Sequence, residues 1–127
     1  MKTIIKDLVL VGMGSFIGGV LRYLVGLLFK GTTLLFPCST FWVNIVGCLF
    51  IGFLSALFLR IPTISSNVNL FLVVGFCGGF TTFSTFSRDL FLMLERGEYT
   101  LFLLYALGSI LLGLLAVFLG FVSGKLF

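Results

Sequence analysis

Apolar residues occupy the chain in four long runs, and charged residues fall almost entirely between or at the ends of them. The runs cover residues 8–29, 40–59, 70–94 and 101–122. Each reaches the ~20 residues that a helix needs to cross about 30 Å of hydrocarbon. The connections, residues 30–39, 60–69 and 95–100, are too short to fold alone. The pattern predicts an all-α membrane protein: one integral membrane domain over residues 1–127, four transmembrane helices, both termini on one side. Lys2 and Lys6 before the first run resemble the n-region of a signal peptide. That run continues to Phe29 and three more follow, so a retained span is predicted.

Small and polar residues interrupt each run at helical spacing. The first carries Gly12, Ser15, Gly19, Arg22 and Gly26 at steps of three and four, and Gly14 and Gly18 add a GxxxG. The second places Thr40, Asn44, Gly47 and Ser55 near one face, and the fourth aligns Tyr105, Ser109, Gly113, Ala116 and Gly120. Small residues in that register let helices approach closely, so the glycines read as packing seams. The polar members are donors as well. Asn44 alone reads equally as interhelical glue or as part of a polar path. Arg22 reads either as a side chain snorkelling to the headgroups or as the mouth of an anion conduit.

The third run is the anomaly. Gly75, Gly78, Gly79, Thr81, Thr82, Ser84, Thr85 and Ser87 crowd a segment that lipid would prefer to be Leu and Val. Each glycine lowers helix propensity by roughly 1 kcal/mol. Gly78-Gly79 followed by two threonines predicts either a helix that opens mid-membrane or a packing notch under a neighbour. Open backbone at that depth is tolerated only against protein or water, and commonly binds ions. Phe83 and Phe86, three apart, share a helical face. Their ring edges carry partial positive charge and suit an anion.

Composition narrows the chemistry. Of 127 residues 60% are hydrophobic and 9% charged, so the bilayer is the solvent. The net charge of +4 forms no basic stripe, so nucleic acid is not a predicted partner. Lys2, Lys6, Arg60 and Lys125 face one side; Lys30, Arg96, Arg22 and Arg88 lean to the other. Lys/Arg bias sets orientation, and a balance of four against four leaves either orientation open. A chain inserting both ways can form an antiparallel, dual-topology homodimer. No histidine is present, which excludes an imidazole relay, and Cys38, Cys48 and Cys77 have no metal-ligand spacing. No nucleophile–base pair exists, so no enzyme is predicted. No Asp or Glu sits mid-run; Asp89 is nearest, close to the end of its run. Amides, hydroxyls and aromatic edges suit a small anion moving without a proton relay.

Gly78-Gly79-Phe80-Thr81-Thr82-Phe83-Ser84-Thr85-Phe86-Ser87 resembles the signature of the Fluc/CrcB fluoride channels. So do Thr40-Phe-Trp-Val-Asn44 with Gly47, Tyr105-x-x-x-Ser109, and Gly18-Gly19 with Arg22. The resemblance implies a fluoride-selective channel of the cell membrane that exports F- passively and lowers its toxicity. It implies an antiparallel homodimer with two pores, and a structural Na+ at its centre held by the carbonyls of Gly78 and Thr81. Phe83 and Phe86 match the pore phenylalanines and Asn44 the pore asparagine. Tyr105 and Ser109 match a polar track that Thr40, Thr82 and Ser84 extend, and Arg22 matches a vestibule arginine. Asp89 stands where family members often carry Glu, one methylene shorter. Two other classes compete: a four-helix dual-topology proton-coupled drug exporter, which needs an acid within residues 8–29 that this chain lacks, and a non-transporting assembly subunit.

Overall fold

The structure, a computed structural model, describes residues 2–31, 36–61, 63–64 and 66–126. Parts of the connections at 30–39 and 60–69 lie outside the described residues. Among the described residues every regular element is helical. Helix α1 is Lys2–Leu28 and α2 is Cys38–Arg60. The third span, Ser66–Glu95, is composite. It runs through α3 (Ser66–Asn69), a π-helical stretch Leu70–Cys77, α4 (Gly78–Phe80) and, after a break, α5 (Phe83–Glu95). Helix α6, Tyr99–Leu126, closes the bundle. All four spans are long and apolar enough to cross a membrane. They run a little past the apolar runs, placing Lys6, Arg60, Glu95 and Lys125 at their ends.

Turn chemistry explains the ends. The turn after α5 puts Gly97 at φ +73°, with Gly97 N–H donating to Leu94 O and Glu98 N–H to Met93 O. This left-handed glycine cap satisfies the last carbonyls of α5 and turns the chain into α6. At the other end of the bundle Arg60 donates to the Lys125 carbonyl, tying the end of α2 to the last turn of α6.

Two parallel helix pairs make the core. Helix α1 lies against the third span so closely that backbone meets backbone. A Cβ at Gly14 would sit 2.2 Å from Phe71 O, and one at Gly18 2.2 Å from Phe76 O. From the facing side, a Cβ at Gly79 would sit 2.5 Å from Ser15 O. The Ser15 hydroxyl adds a 3.3 Å hydrogen bond to Gly75 O. Helix α2 packs on α6 in the same manner: a Cβ at Gly52 would meet Val117 O at 2.1 Å, and one at Gly120 Leu49 O at 2.0 Å.

These contacts revise the predicted seam of α1. Gly12, Gly19 and Gly26 have open space where a side chain would be, and Gly14 and Gly18 form the packing face. The seam of α6 holds, with Tyr105, Gly113, Ala116 and Gly120 all buried. On α2, Ser55 is exposed and bonds back to Ile51 O at 2.7 Å, leaving the contact with α6 to Gly52.

Candidate functional site: the break in the third span

The third span does open mid-membrane, one turn later than Gly78-Gly79 alone predicts. Gly78–Phe80 remain helical, and the extended residues are Thr81 (φ −77°, ψ 159°) and Thr82 (φ −149°, ψ 115°). The glycines serve close approach instead: Gly79 meets Ser15, and the preceding Gly75 meets Val11. Side chains hold the break itself. Asn44 on α2 pairs with the Thr82 backbone at two points. Its Oδ1 accepts from Thr82 N–H at 2.8 Å, and its Nδ2 donates to Thr82 O at 3.1 Å. The Thr82 hydroxyl caps α5 by accepting from Thr85 N–H at 3.3 Å. Thr82 is an N-cap of the kind that stabilises a helix start by about 1 kcal/mol.

Two backbone carbonyls thereby lose their helical donors. Thr82 N–H would close the helical bond to Gly78 O, and it donates to Asn44. Thr85 N–H would serve Thr81 O, and it donates to the Thr82 side chain. Arg22 on α1 reaches across, its Nη1 donating to Thr81 O at 3.2 Å. Arg22 thus anchors on the break while also lining the chamber beside it. Gly78 lies exposed, with nothing within 4 Å of a Cβ position.

The break separates two cavities of different chemistry. On one side is a 290 Å³ chamber lined by Arg22, Tyr23, Ser39, Thr40, Thr82 and Thr85, among others. Among the described residues no carboxylate lines it. On the other is a mainly apolar 430 Å³ cleft, whose walls include Asn44, Cys48, Val74, Gly78, Thr81 and Phe83.

The aromatic residues divide likewise. Tyr105 is fully buried, 5.1 Å between ring centroids from Phe86 and 5.2 Å from Phe36. Phe83 lies 6.0 Å from Phe86 but is 79% exposed, on the outside of the lone chain. Ser84 is exposed, its hydroxyl 3.3 Å from that of Thr82. Ser109 Oγ is buried and has no hydrogen-bond partner. A buried hydroxyl left unpaired costs about 1–3 kcal/mol.

Of the predicted site residues, Arg22, Thr40, Asn44, Thr81 and Thr82 converge on the break and the chamber beside it. Phe86 joins Tyr105, while Phe83 and Gly78 face the open cleft. Sequence reasoning undervalued Asp89. Tyr105 OH reaches its Oδ2 at 3.5 Å, a long contact, and Thr40 is a second hydroxyl neighbour. The signal was present: Thr82, Thr85 or Phe86, and Asp89 recur at steps of three and four, one face of α5.

A break held by an asparagine, an N-capping threonine and an arginine is a built feature, and comparison with known proteins gives the chain its family. The model of CrcB-like protein, Camphor Resistance (CrcB), matches residues 9–121. The chain belongs to the CrcB family. It is 44% identical over 124 residues to a protein of Azobacteroides pseudotrichonymphae, covering 97% of this chain and 99% of the relative. A protein of Phocaeicola vulgatus is 46% identical over 116 residues, covering 91% and 95%. One from Chlorobium luteolum is 46% identical over 119, covering 94% and 92%. Each of these relatives carries the name fluoride-specific ion channel FluC. This CrcB-family chain is a multi-pass membrane protein.

Proposed function

We propose that the protein is a fluoride-selective channel that lets F- leave the cytoplasm passively across the cell membrane. The ion identity rests on near full-length likeness to relatives named as fluoride-specific channels. The observation that carries the mechanism is the carboxylate-free chamber of hydroxyls and one guanidinium beside the break. Fluoride holds its water tightly, so a pore must replace that shell with donors. Arg22, Ser39 and Thr85 supply them at the entrance, where Thr40 also lines the wall with its hydroxyl bonded to Asp89. Asn44 spends one amide hydrogen on Thr82 and keeps the other for the ion. Beyond it lie the ring edges of Phe83 and Phe86, then the Tyr105 and Ser109 hydroxyls, with Ser84 at the margin.

The working unit is an antiparallel homodimer. Its support is the balanced Lys/Arg distribution together with the exposure of Phe83 over an open cleft. A pore ring facing outward from a lone chain needs a second copy to complete its wall. The carbonyls of Gly78 and Thr81 fit a structural Na+: both have lost their helical donors, and oxygen ligands suit a hard cation. When bound, the cation supplies fixed positive charge near the dimer centre.

The test is efflux from proteoliposomes read with a fluoride electrode. Rapid F- release with negligible Cl- release is expected, and comparable Cl- flux refutes the selectivity. Flux that follows an imposed pH gradient rather than voltage would instead favour the proton-coupled exporter.

A further inference from the structure

The Thr81 carbonyl has two claimants. On the reading above it is a Na+ ligand, and it already accepts from the Arg22 guanidinium at 3.2 Å. We infer that Arg22 competes with the central cation for the Thr81 carbonyl and so sets the Na+ concentration at which the dimer assembles. This rests on the cation site just proposed, and adds to it a residue from a different helix.

Three observations converge. First, the contact is specific and long-range: Arg22 and Thr81 are 59 positions apart, on α1 and the third span. Second, Arg22 is held at that height by the contacts below it, Gly14 and Gly18 against the third span, so its reach is fixed by backbone packing. Third, the carbonyl lacks the helical donor that would otherwise occupy it, because Thr85 N–H is taken by the Thr82 side chain.

A guanidinium and a metal ion on one oxygen lie within a few ångströms of each other and repel. Part of the carbonyl's electron density is also already committed to the Arg22 N–H. In the lone chain Arg22 serves the break as a resident cation and keeps Thr81 satisfied. Pairing of subunits brings a second set of carbonyls, and only then does Na+ outbid it. Arg22 has somewhere to go: the 290 Å³ chamber adjoins it, lined by hydroxyls that accept.

The experiment measures dimer stability of the full-length protein in detergent, by thermal unfolding and by size exclusion, across a Na+ titration at constant ionic strength with N-methylglucamine as the replacement. Arg22→Gln keeps a hydrogen-bond donor and removes the charge; Arg22→Lys keeps the charge. Arg22→Gln is expected to lower the half-saturating Na+ concentration about tenfold, since like charges close together at protein-surface dielectric repel. Arg22→Lys is expected to stay near the native value. An unchanged or raised half-saturation in Arg22→Gln overturns the competition. Equal destabilisation at every Na+ concentration overturns it too, because that is the signature of a merely structural arginine. If the native protein itself shows no Na+ dependence while conducting fluoride, the cation site fails, and this inference with it.

Discussion

Replacing Asn44 by Asp isolates what the amide does at the break. The two residues are nearly isosteric, so α2 and its packing are untouched. The acceptor half survives, since a carboxylate oxygen still takes the Thr82 N–H bond now 2.8 Å long. The donor half does not: the 3.1 Å bond from Nδ2 to Thr82 O becomes a contact between two oxygens. An unsatisfied buried carbonyl costs about 1–3 kcal/mol, a loss visible in melting but small enough for the fold to survive. The effect on an anion is larger. A full negative charge about 4 Å from an ion that the amide would have bonded, at an effective dielectric of about 20, repels by about 4 kcal/mol. That raises the barrier enough to slow passage by roughly three orders of magnitude. The assay is fluoride efflux from liposomes at matched reconstitution, with the oligomer checked by size exclusion. Flux within threefold of the native protein at neutral pH, from a properly assembled variant, would refute the placement of Asn44 on the path.

Phe83→Ile should abolish flux while leaving the isolated subunit's stability almost unchanged, because its ring is 79% exposed in the lone chain; normal conduction would remove it from the pore. Ser109→Ala should not lower the melting temperature, as its hydroxyl has no partner to lose, yet should slow fluoride efflux. A large stability loss there would show a hidden hydrogen bond instead of a waiting ligand. Gly18→Val should prevent correct assembly, since even a Cβ would lie 2.2 Å from Phe76 O; recovery of native-like protein would contradict the backbone contact. A reporter fused to the C-terminus should be found on both sides of the membrane, and a one-sided result would exclude dual topology.

Hydropathy alone located the spans, because the bilayer imposes length and apolarity more strictly than water does. The third-span anomaly was also legible, since hydroxyls at membrane depth require partners. What periodicity could not resolve was which small residue touches which neighbour. Gly12 and Gly14 look alike in a sequence; only the third span's approach makes Gly14 indispensable and leaves Gly12 open. The predicted opening at Gly78-Gly79 followed by Thr81 and Thr82 is realised at its threonine end for the same reason. Propensity is local, whereas the residue that opens the backbone, Asn44, comes from 38 positions away. Asp89 was undervalued because it stood near the end of its apolar run in place of a longer Glu, and only the fold turns it towards Thr40 and Tyr105.

The glycine contacts between α1 and the third span have a bearing on how permeation behaves as a rate process. Backbone touching backbone at Gly14, Gly18, Gly75 and Gly79 leaves no compressible side chain between the two helices. The break is therefore carried on a stiff pair, pinned on its other flank by Asn44. A passage built this way has little to swing open, so the slow step is the exchange of an ion's water for fixed donors. Throughput should then vary only shallowly with temperature, as diffusion does, instead of steeply as in proteins that must rearrange for every turnover.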